Sequence, residues 1–343
     1  MKKILILVLS CVLLLVGCGG GEEKKVVNVY NWGEYIDKDL LAEFEEQTGI
    51  TVKYDTFVTN EDMYVKLKKG GSSFDLLVPS DYMIEKLIKE DLLAEVDFSK
   101  IPNFENLDPE LLHKSYDPED KYSVPYFWGT LGIVYNKTMV SEPVDSWDIL
   151  WDEKYANQIL MLDSSRDSIG IALIKSGYSI NSMDEGELAE AKELLIQQKP
   201  LTLAYQVDQS KDMMVGEEAA IAVMYSGDAY DAVRQNPNLE YVIPKEGSNL
   251  WFDACVIPKD AENKENAELF INFLLDPEIA MRNADYVGYS TPNAKAKDLL
   301  SEEMKGSLIA YPDLSKHANM EVFNDPGEMI TVYDQIWTDV LAN

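Results

Sequence analysis

The chain is expected to fold as an α/β protein built of two domains. Its 343 residues exceed what one hydrophobic core usually organises. Strand-like and helix-like segments alternate from Val26 onward, the pattern of sheets flanked by helices. The run Asp75-Leu76-Leu77-Val78-Pro79 is short and apolar, of the kind that parallel sheets bury on both faces.

Before the first strand comes a leader. Met1-Lys2-Lys3 is cationic and is followed by an apolar run from Ile4 to Val16, broken only by Ser10. A spanning helix needs about 20 apolar residues, so this shorter run fits a signal-peptide core, residues 1–17. It closes on Leu15-Val16-Gly17-Cys18, which resembles the bacterial lipobox, where the Cys carries the lipid. Residues 18–25, with Gly-Gly-Gly-Glu-Glu-Lys-Lys, cannot pack a core and are expected to be a flexible tether. The mature chain is therefore expected on the extracytoplasmic face of the cell membrane, lipid-anchored through Cys18.

The elements then follow in order. Val26 to Tyr30 predicts a buried strand. Asp37 predicts the cap of a helix with Leu40, Leu41 and Phe44 on one face, stopped by Gly49. Ile50 to Tyr54 alternates as a strand does, and the Asp75–Pro79 strand runs into a loop Ser80-Asp81-Tyr82 before the next helix. Ala219 to Met224 predicts a strand entering a loop Tyr225-Ser226-Gly227-Asp228. Asn263 is expected to cap a helix reaching Leu275, and Asp276-Pro277 to start another, ended by Gly288.

Composition removes several function classes. The net charge is −31, from 61 acidic and 30 basic residues. Phosphate binding needs Lys and Arg patches, so no nucleic-acid partner is expected, whereas a cationic ligand would be drawn to such a surface. Of three cysteines, Cys11 leaves with the leader and Cys18 carries lipid, so Cys255 has no disulfide partner and is expected as a buried thiol. His113 and His317 are the only histidines, which disfavours a His-based triad or metal cluster. Nucleotide-binding, zinc-protease and serine-hydrolase motifs are missing from the sequence. Neither enzyme activity nor a cofactor or metal is expected.

What recurs instead is aromatic residues beside acids and turns: Asn31-Trp32-Gly33-Glu34-Tyr35, Ser80-Asp81-Tyr82, Tyr225-Ser226-Gly227-Asp228, Trp251-Phe252-Asp253 and Gly288-Tyr289-Ser290-Thr291-Pro292-Asn293. Ligands of open α/β sheets bind beyond the carboxyl ends of strands. A chain of methylenes with ammonium groups needs aromatic walls and carboxylates at set spacings. Each cation–π contact contributes about 0.5–2 kcal/mol, and each charge-assisted hydrogen bond about 1.5–3 kcal/mol.

These segments, with Phe74–Ser80 and Tyr122-Ser123-Val124-Pro125-Tyr126-Phe127-Trp128-Gly129, carry a resemblance to the spermidine/putrescine-binding proteins of polyamine ABC importers, from about Val26 to the C-terminus. The resemblance implies a two-lobed, periplasmic-binding-protein-like fold, each lobe a mixed sheet flanked by helices, with the ligand cleft between lobes and closure by hinge motion. Residues 26–129 plus 254–300 are expected in lobe 1, and 130–253 plus 301–343 in lobe 2. Trp32, Tyr35, Tyr82, Trp251 and Tyr289 match family positions lining the cleft, and Ser80 a polar contact. Asp253 matches a carboxylate that holds an amine. Asp167 stands where spermidine-type members carry Glu, with Ser164 at a neighbouring Asp position. Tyr225 replaces a Trp wall, and Phe323 a Gln at the far end of spermidine. Asp228 matches an ammonium-binding Asp of putrescine-preferring relatives.

A two-ended clamp is expected from these positions, Glu34 and Asp253 at one ammonium and Asp167 and Asp228 at the other, which suits a short diamine. Partners implied are a polyamine, a membrane permease with its ATPase, and the membrane through the lipid; the protein itself is expected to be a monomer. A receptor of the same fold for another solute such as an amino acid, or a polyamine sensor, are the other readings, since sites rather than folds decide function. An amino-acid receptor would need a cleft Arg, and Arg166 is the one beside a site position.

Overall fold

Asp37 stands in extended backbone and its carboxylate accepts from the Asp39 amide at 3.0 Å, capping the helix Lys38–Thr48. Leu40 and Phe44 bury one face of that helix, and Gly49 ends it at φ 70°. Local signals of this kind set most of the elements. The structure is a computed structural model that describes residues 25–70 and 73–343. The leader, Cys18 and the tether before Lys25 lie outside the described residues.

Among the described residues ten strands follow in chain order: β1 Val26–Trp32, β2 Thr51–Phe57, β3 Leu76–Leu77, β4 Ser123–Asn136, β5 Ile159–Leu162, β6 Thr202–Gln206, β7 Ile221–Tyr225, β8 Leu239–Val242, β9 Ser248–Val256 and β10 Met320–Glu321. They are ordered β2-β1-β3-β9-β4-β7-β5-β6, with β8 on β4 and β10 on β9. β1 runs parallel to β2 and β3, and β5 parallel to β6 and β7. β4 is antiparallel to β7, β8 and β9, and β9 is antiparallel to β3, so both halves of the sheet are mixed.

β4 joins the two lobes. Residues Ser123 to Thr130 pair with β9, while Leu131 to Asn136 pair with β7 and β8. The hydrophobic cores divide at the same place. Phe127 and Trp128 belong to a core with Val29, Phe44, Leu77, Phe252 and Phe270, whereas Leu131 and Ile133 pack with Trp147, Ile159, Ile221 and Tyr333. Alternation along the strands produces a third cluster on the opposite face of this second sheet, where Val134, Leu160, Ala222 and Met224 meet. The C-terminal stretch is shared. Met304, Ala310 and Tyr311 pack in the first core, and Phe323, Ile336 and Val340 in the second.

Four local expectations change. Trp251-Phe252-Asp253 is no turn but the middle of the fully buried β9. Asp81 and Tyr82 form the first turn of the helix Asp81–Lys89, and Asp228 the first turn of Ser226–Gln235, rather than loops. Asn263 precedes the helix Lys264–Leu274 but makes no side-chain cap, because its amide nitrogen is drawn to Asp75 at 3.1 Å. Cys255 is a free, buried thiol as expected, and burial pushes its pKa up to about 12.

Candidate functional site

β9 passes through the junction of the lobes with its side chains alternating. Phe252 turns into the first core, and Trp251 and Asp253 project from the other face. Asp253 is 7% exposed. Its Oδ2 accepts from the Tyr35 hydroxyl at 2.7 Å. Burial pushes its carboxyl up to about 6, and the hydrogen bonds from Ser80 and Tyr35 oppose that rise. Ser80 is the N-cap residue of the helix Asp81–Lys89 without a capping side-chain bond, and it lies opposite Asp253 in an isolated antiparallel bridge. Tyr35 is itself held: its carbonyl accepts from the Tyr126 hydroxyl at 2.8 Å, and that hydroxyl accepts from Asn283 at 2.8 Å.

A line of edge-to-face rings leads away from Asp253. Tyr35 meets Tyr289 at 5.7 Å between centroids, Tyr289 meets Trp251 at 5.3 Å, and Trp251 meets Tyr225 at 6.0 Å. Two of these rings end on further carboxylates. The Tyr289 hydroxyl donates to Asp228 Oδ2 at 2.8 Å, and the Tyr225 hydroxyl to Asp167 Oδ2 at 2.8 Å. Glycines make the close packing possible. A Cβ on Gly129 would lie 2.5 Å from the Trp251 ring, and one on Gly227 2.3 Å from the Tyr289 ring.

Asp167 lies in the first turn of the helix Ser165–Lys175, whose N-terminal dipole favours an ionised acid. Ser164 caps that helix and also donates to Asp167 Oδ2 at 2.6 Å, while Asn249 donates to Oδ1 at 3.4 Å. Burial raises the Asp167 carboxyl above its ordinary range, against the pull of Ser164, Tyr225 and Asn249. Burial also raises Asp228, against the pull of Tyr289.

The remaining predicted positions lie around this cluster. Trp32 packs on Phe57 at 4.4 Å, and its indole nitrogen is buried without a partner, as is that of Trp251. Tyr82 accepts from Asn60 at 3.1 Å, donates to Glu61 at 3.0 Å, and its ring lies 5.5 Å from the Arg166 guanidinium. Glu34 is exposed with φ 23°, in the turn after β1. Asp167 and Asp228 are hydrogen-bonded by two different tyrosines, Tyr225 and Tyr289. Phe323 is buried in the second core, beneath Arg166 at 4.5 Å.

Asp81 was not among the predicted site residues. Fully buried, it accepts from the Phe252 amide at 3.1 Å and the Tyr82 amide at 2.7 Å, tying the middle of β9 to the start of its own helix. Burial pushes its carboxyl well above the ordinary range, and the Asp253 charge adds to that rise. Its place between Ser80 and Tyr82 was the one signal available in the sequence.

Among the described residues, no lysine or arginine forms an ion pair with Asp81, Asp167, Asp228 or Asp253. Uncompensated buried carboxylates are costly, and a cation brought between them is stabilised by the same charge. Among the described residues there is also no group of acids, histidines and cysteines fit to hold a metal. The chemistry on offer is recognition of an organic cation with an apolar body.

Two lobes joined by continuous strands, with a cluster of rings and carboxylates at their junction, define a two-lobed solute-binding protein. The chain belongs to the family of bacterial extracellular solute-binding proteins, whose model matches residues 39–314. It is 40% identical over 316 residues to a spermidine/putrescine-binding periplasmic protein of Salmonella typhimurium, covering 91% of this chain and 90% of that one. The solved spermidine/putrescine ABC transporter substrate-binding protein PotD of Streptococcus pneumoniae is 47% identical with a TM-score of 0.82, over 93% of this chain and 99% of that one. The PotD lipoprotein of Treponema pallidum is 30% identical with a TM-score of 0.82, over 92% and 99% of the two chains. Among the described residues no helix is long and apolar enough to cross a membrane.

Proposed function

We propose that this protein captures a polyamine, putrescine or spermidine, outside the cytoplasm and hands it to the permease and ATPase of an ABC importer, without catalysing a reaction. The observation that carries the reading is the Asp253–Tyr35–Tyr289–Trp251–Tyr225–Asp167 array, in which rings separate carboxylates that form no ion pair with a lysine or arginine among the described residues. Methylenes would lie along the rings and ammonium groups at the acids. Ser80, Trp32, Tyr82 and Asp228 complete the proposed ligand set, with Glu34 at its exposed rim. The names of the Salmonella and Streptococcus relatives support this ligand class.

The lobe division that fits this reading differs at two points from the boundaries expected at 254 and 300. Leu250, Trp251, Phe252, the run Ala254 to Ile257, and Met304, Ala310 and Tyr311 belong to the first core, which supports a lobe 1 that takes in β9 from Leu250 and extends past Tyr311. Cys18 would carry the lipid that holds a monomer at the membrane, a form in keeping with the lipoprotein named from Treponema. An amino-acid ligand fits less well. The Arg166 Nη groups already donate to the Asn324 carbonyl at 3.2 and 3.3 Å, so both are engaged within the protein.

Calorimetric titration with putrescine and spermidine, alongside native mass spectrometry of the purified protein, tests the proposal. Binding of either amine at micromolar or tighter affinity is expected; a protein that binds neither has another ligand.

A further inference from the structure

The segment Val322 to Asp325 follows β10, at a third passage of the chain between the lobes, and both lobes grip it. From the second lobe, Asn181 donates to the Val322 carbonyl at 2.9 Å and accepts from the Asn324 amide at 2.8 Å. Arg166 adds both Nη donors to the Asn324 carbonyl. From the first lobe, Glu85 accepts from the Asp325 amide at 2.7 Å. Lys89 bridges Glu85 at 2.8 Å and Asp325 at 3.3 Å, and the Ser115 hydroxyl donates to the Asn324 side chain at 3.2 Å. The Asp325 side chain is only 8% exposed, while its Lys89 partner is 53% exposed.

Arg166 makes the same crossing by stacking. It rises from the helix Ser165–Lys175 and is 5% exposed. Its guanidinium lies 4.5 Å from the Phe323 ring and 4.9 Å from the Tyr333 ring in its own lobe, and 5.5 Å from the Tyr82 ring of the other. The next residue, Asp167, and the facing Tyr82 are both in the proposed ligand set. Closure of the lobes and completion of the Asp167 end of the site thus depend on one group of contacts.

We propose that Arg166 is a positioning residue and that, with the strap Val322–Asp325, it forms an interlobe clasp that holds the occupied cleft shut and sets how long the ligand stays. The inference rests on the polyamine reading for its ligand, but the clasp itself is a property of this chain. It separates the two rate constants. Encounter takes place with the clasp open, so loss of the clasp should speed release and leave association almost unchanged.

Stopped-flow tryptophan fluorescence with putrescine and with spermidine tests it on the wild type, Arg166→Met, Arg166→Lys, Asp325→Asn and Lys89→Met. Release is expected to quicken at least fivefold in Arg166→Met and Asp325→Asn, with association within twofold. Arg166→Lys should recover part of the loss, and the Lys89→Met/Asp325→Asn pair should be less than additive. Unchanged release, or equal changes in both rate constants, overturns the clasp. A second measurement needs no ligand: oxidative cross-linking of a Ser115→Cys/Asn324→Cys pair, with and without Asp325→Asn. Cross-linking slowed at least fivefold by Asp325→Asn supports the clasp, and an unchanged rate overturns it. A wild type that binds neither amine yet cross-links as expected would sink the polyamine reading alone.

Discussion

The Tyr35 hydroxyl donates to Asp253 Oδ2 at 2.7 Å across 218 residues of sequence, joining the bend after β1 to the middle of β9. That bond leaves the rest of the carboxylate's acceptor capacity for Ser80 and for a ligand ammonium. Asp253→Asn keeps the shape and removes the charge. It should weaken polyamine binding at least tenfold, about 1.4 kcal/mol, whereas Tyr35→Phe, which removes only an orienting donor, should cost less. Isothermal titration of the two variants compares them, and an unchanged dissociation constant in Asp253→Asn would remove that residue from the site.

The same carboxylate predicts opposite pH trends for binding and for stability. Its pKa lies near 6 in the ligand-free fold, above its ordinary value of 3.8. The native state therefore holds a proton that the unfolded chain releases, and this group's contribution to stability grows as pH falls from about 6 to about 4. Binding runs the other way, because an ammonium needs the ionised acid. At pH 5 a group titrating near 6 is only about one-tenth ionised, so affinity should fall about tenfold from its value at pH 7.5. Asp167 and Asp228 are raised in the same direction and should steepen the fall. Titrations at pH 7.5 and 5 check this, and affinity that stays constant between them would contradict the assignment of these acids.

How far the sequence reveals this site depends on the range of the contacts. The cap at Asp37, the stop at Gly49 and the helix begun at Asp276-Pro277 are local, and each stands where its residues predict. Trp251-Phe252-Asp253 lies in mid-strand instead, its backbone held by β4 and by the buried Asp81. Asp81 meets Phe252 171 positions along the chain, and nothing in its neighbourhood announces that contact. Asn263 shows the converse. A good capping residue is taken from its helix by Asp75, 188 positions away. Fold class was legible from alternation, and the ring-and-acid motifs from their chemistry, but which acid pairs with which ring is decided by long-range packing.

The proposed lipid anchor rests on the sequence Leu15-Val16-Gly17-Cys18. Cys18→Ala should move the protein from the membrane fraction to the soluble extracytoplasmic fraction and abolish labelling by a clickable palmitate analogue, while leaving polyamine affinity unchanged. Retention in the membrane fraction with no label incorporated by the wild type would show that something other than this Cys holds the protein there.

Gly227 offers a test of the aromatic wall that touches no carboxylate. It sits in the first turn of the helix Ser226–Gln235 and has no positive φ, so alanine suits its backbone. The obstacle is the Tyr289 ring, 2.3 Å from the position a Cβ would take. Tyr289 cannot yield without lengthening its bond to Asp228 or leaving its edge-to-face contacts with Tyr35 and Trp251. Gly227→Ala should therefore weaken binding at least tenfold, while Tyr289→Phe, which keeps the ring and loses only the Asp228 bond, should cost less. If Gly227→Ala binds as the wild type does and melts at the same temperature, the ring has room to move and the wall is not rigid.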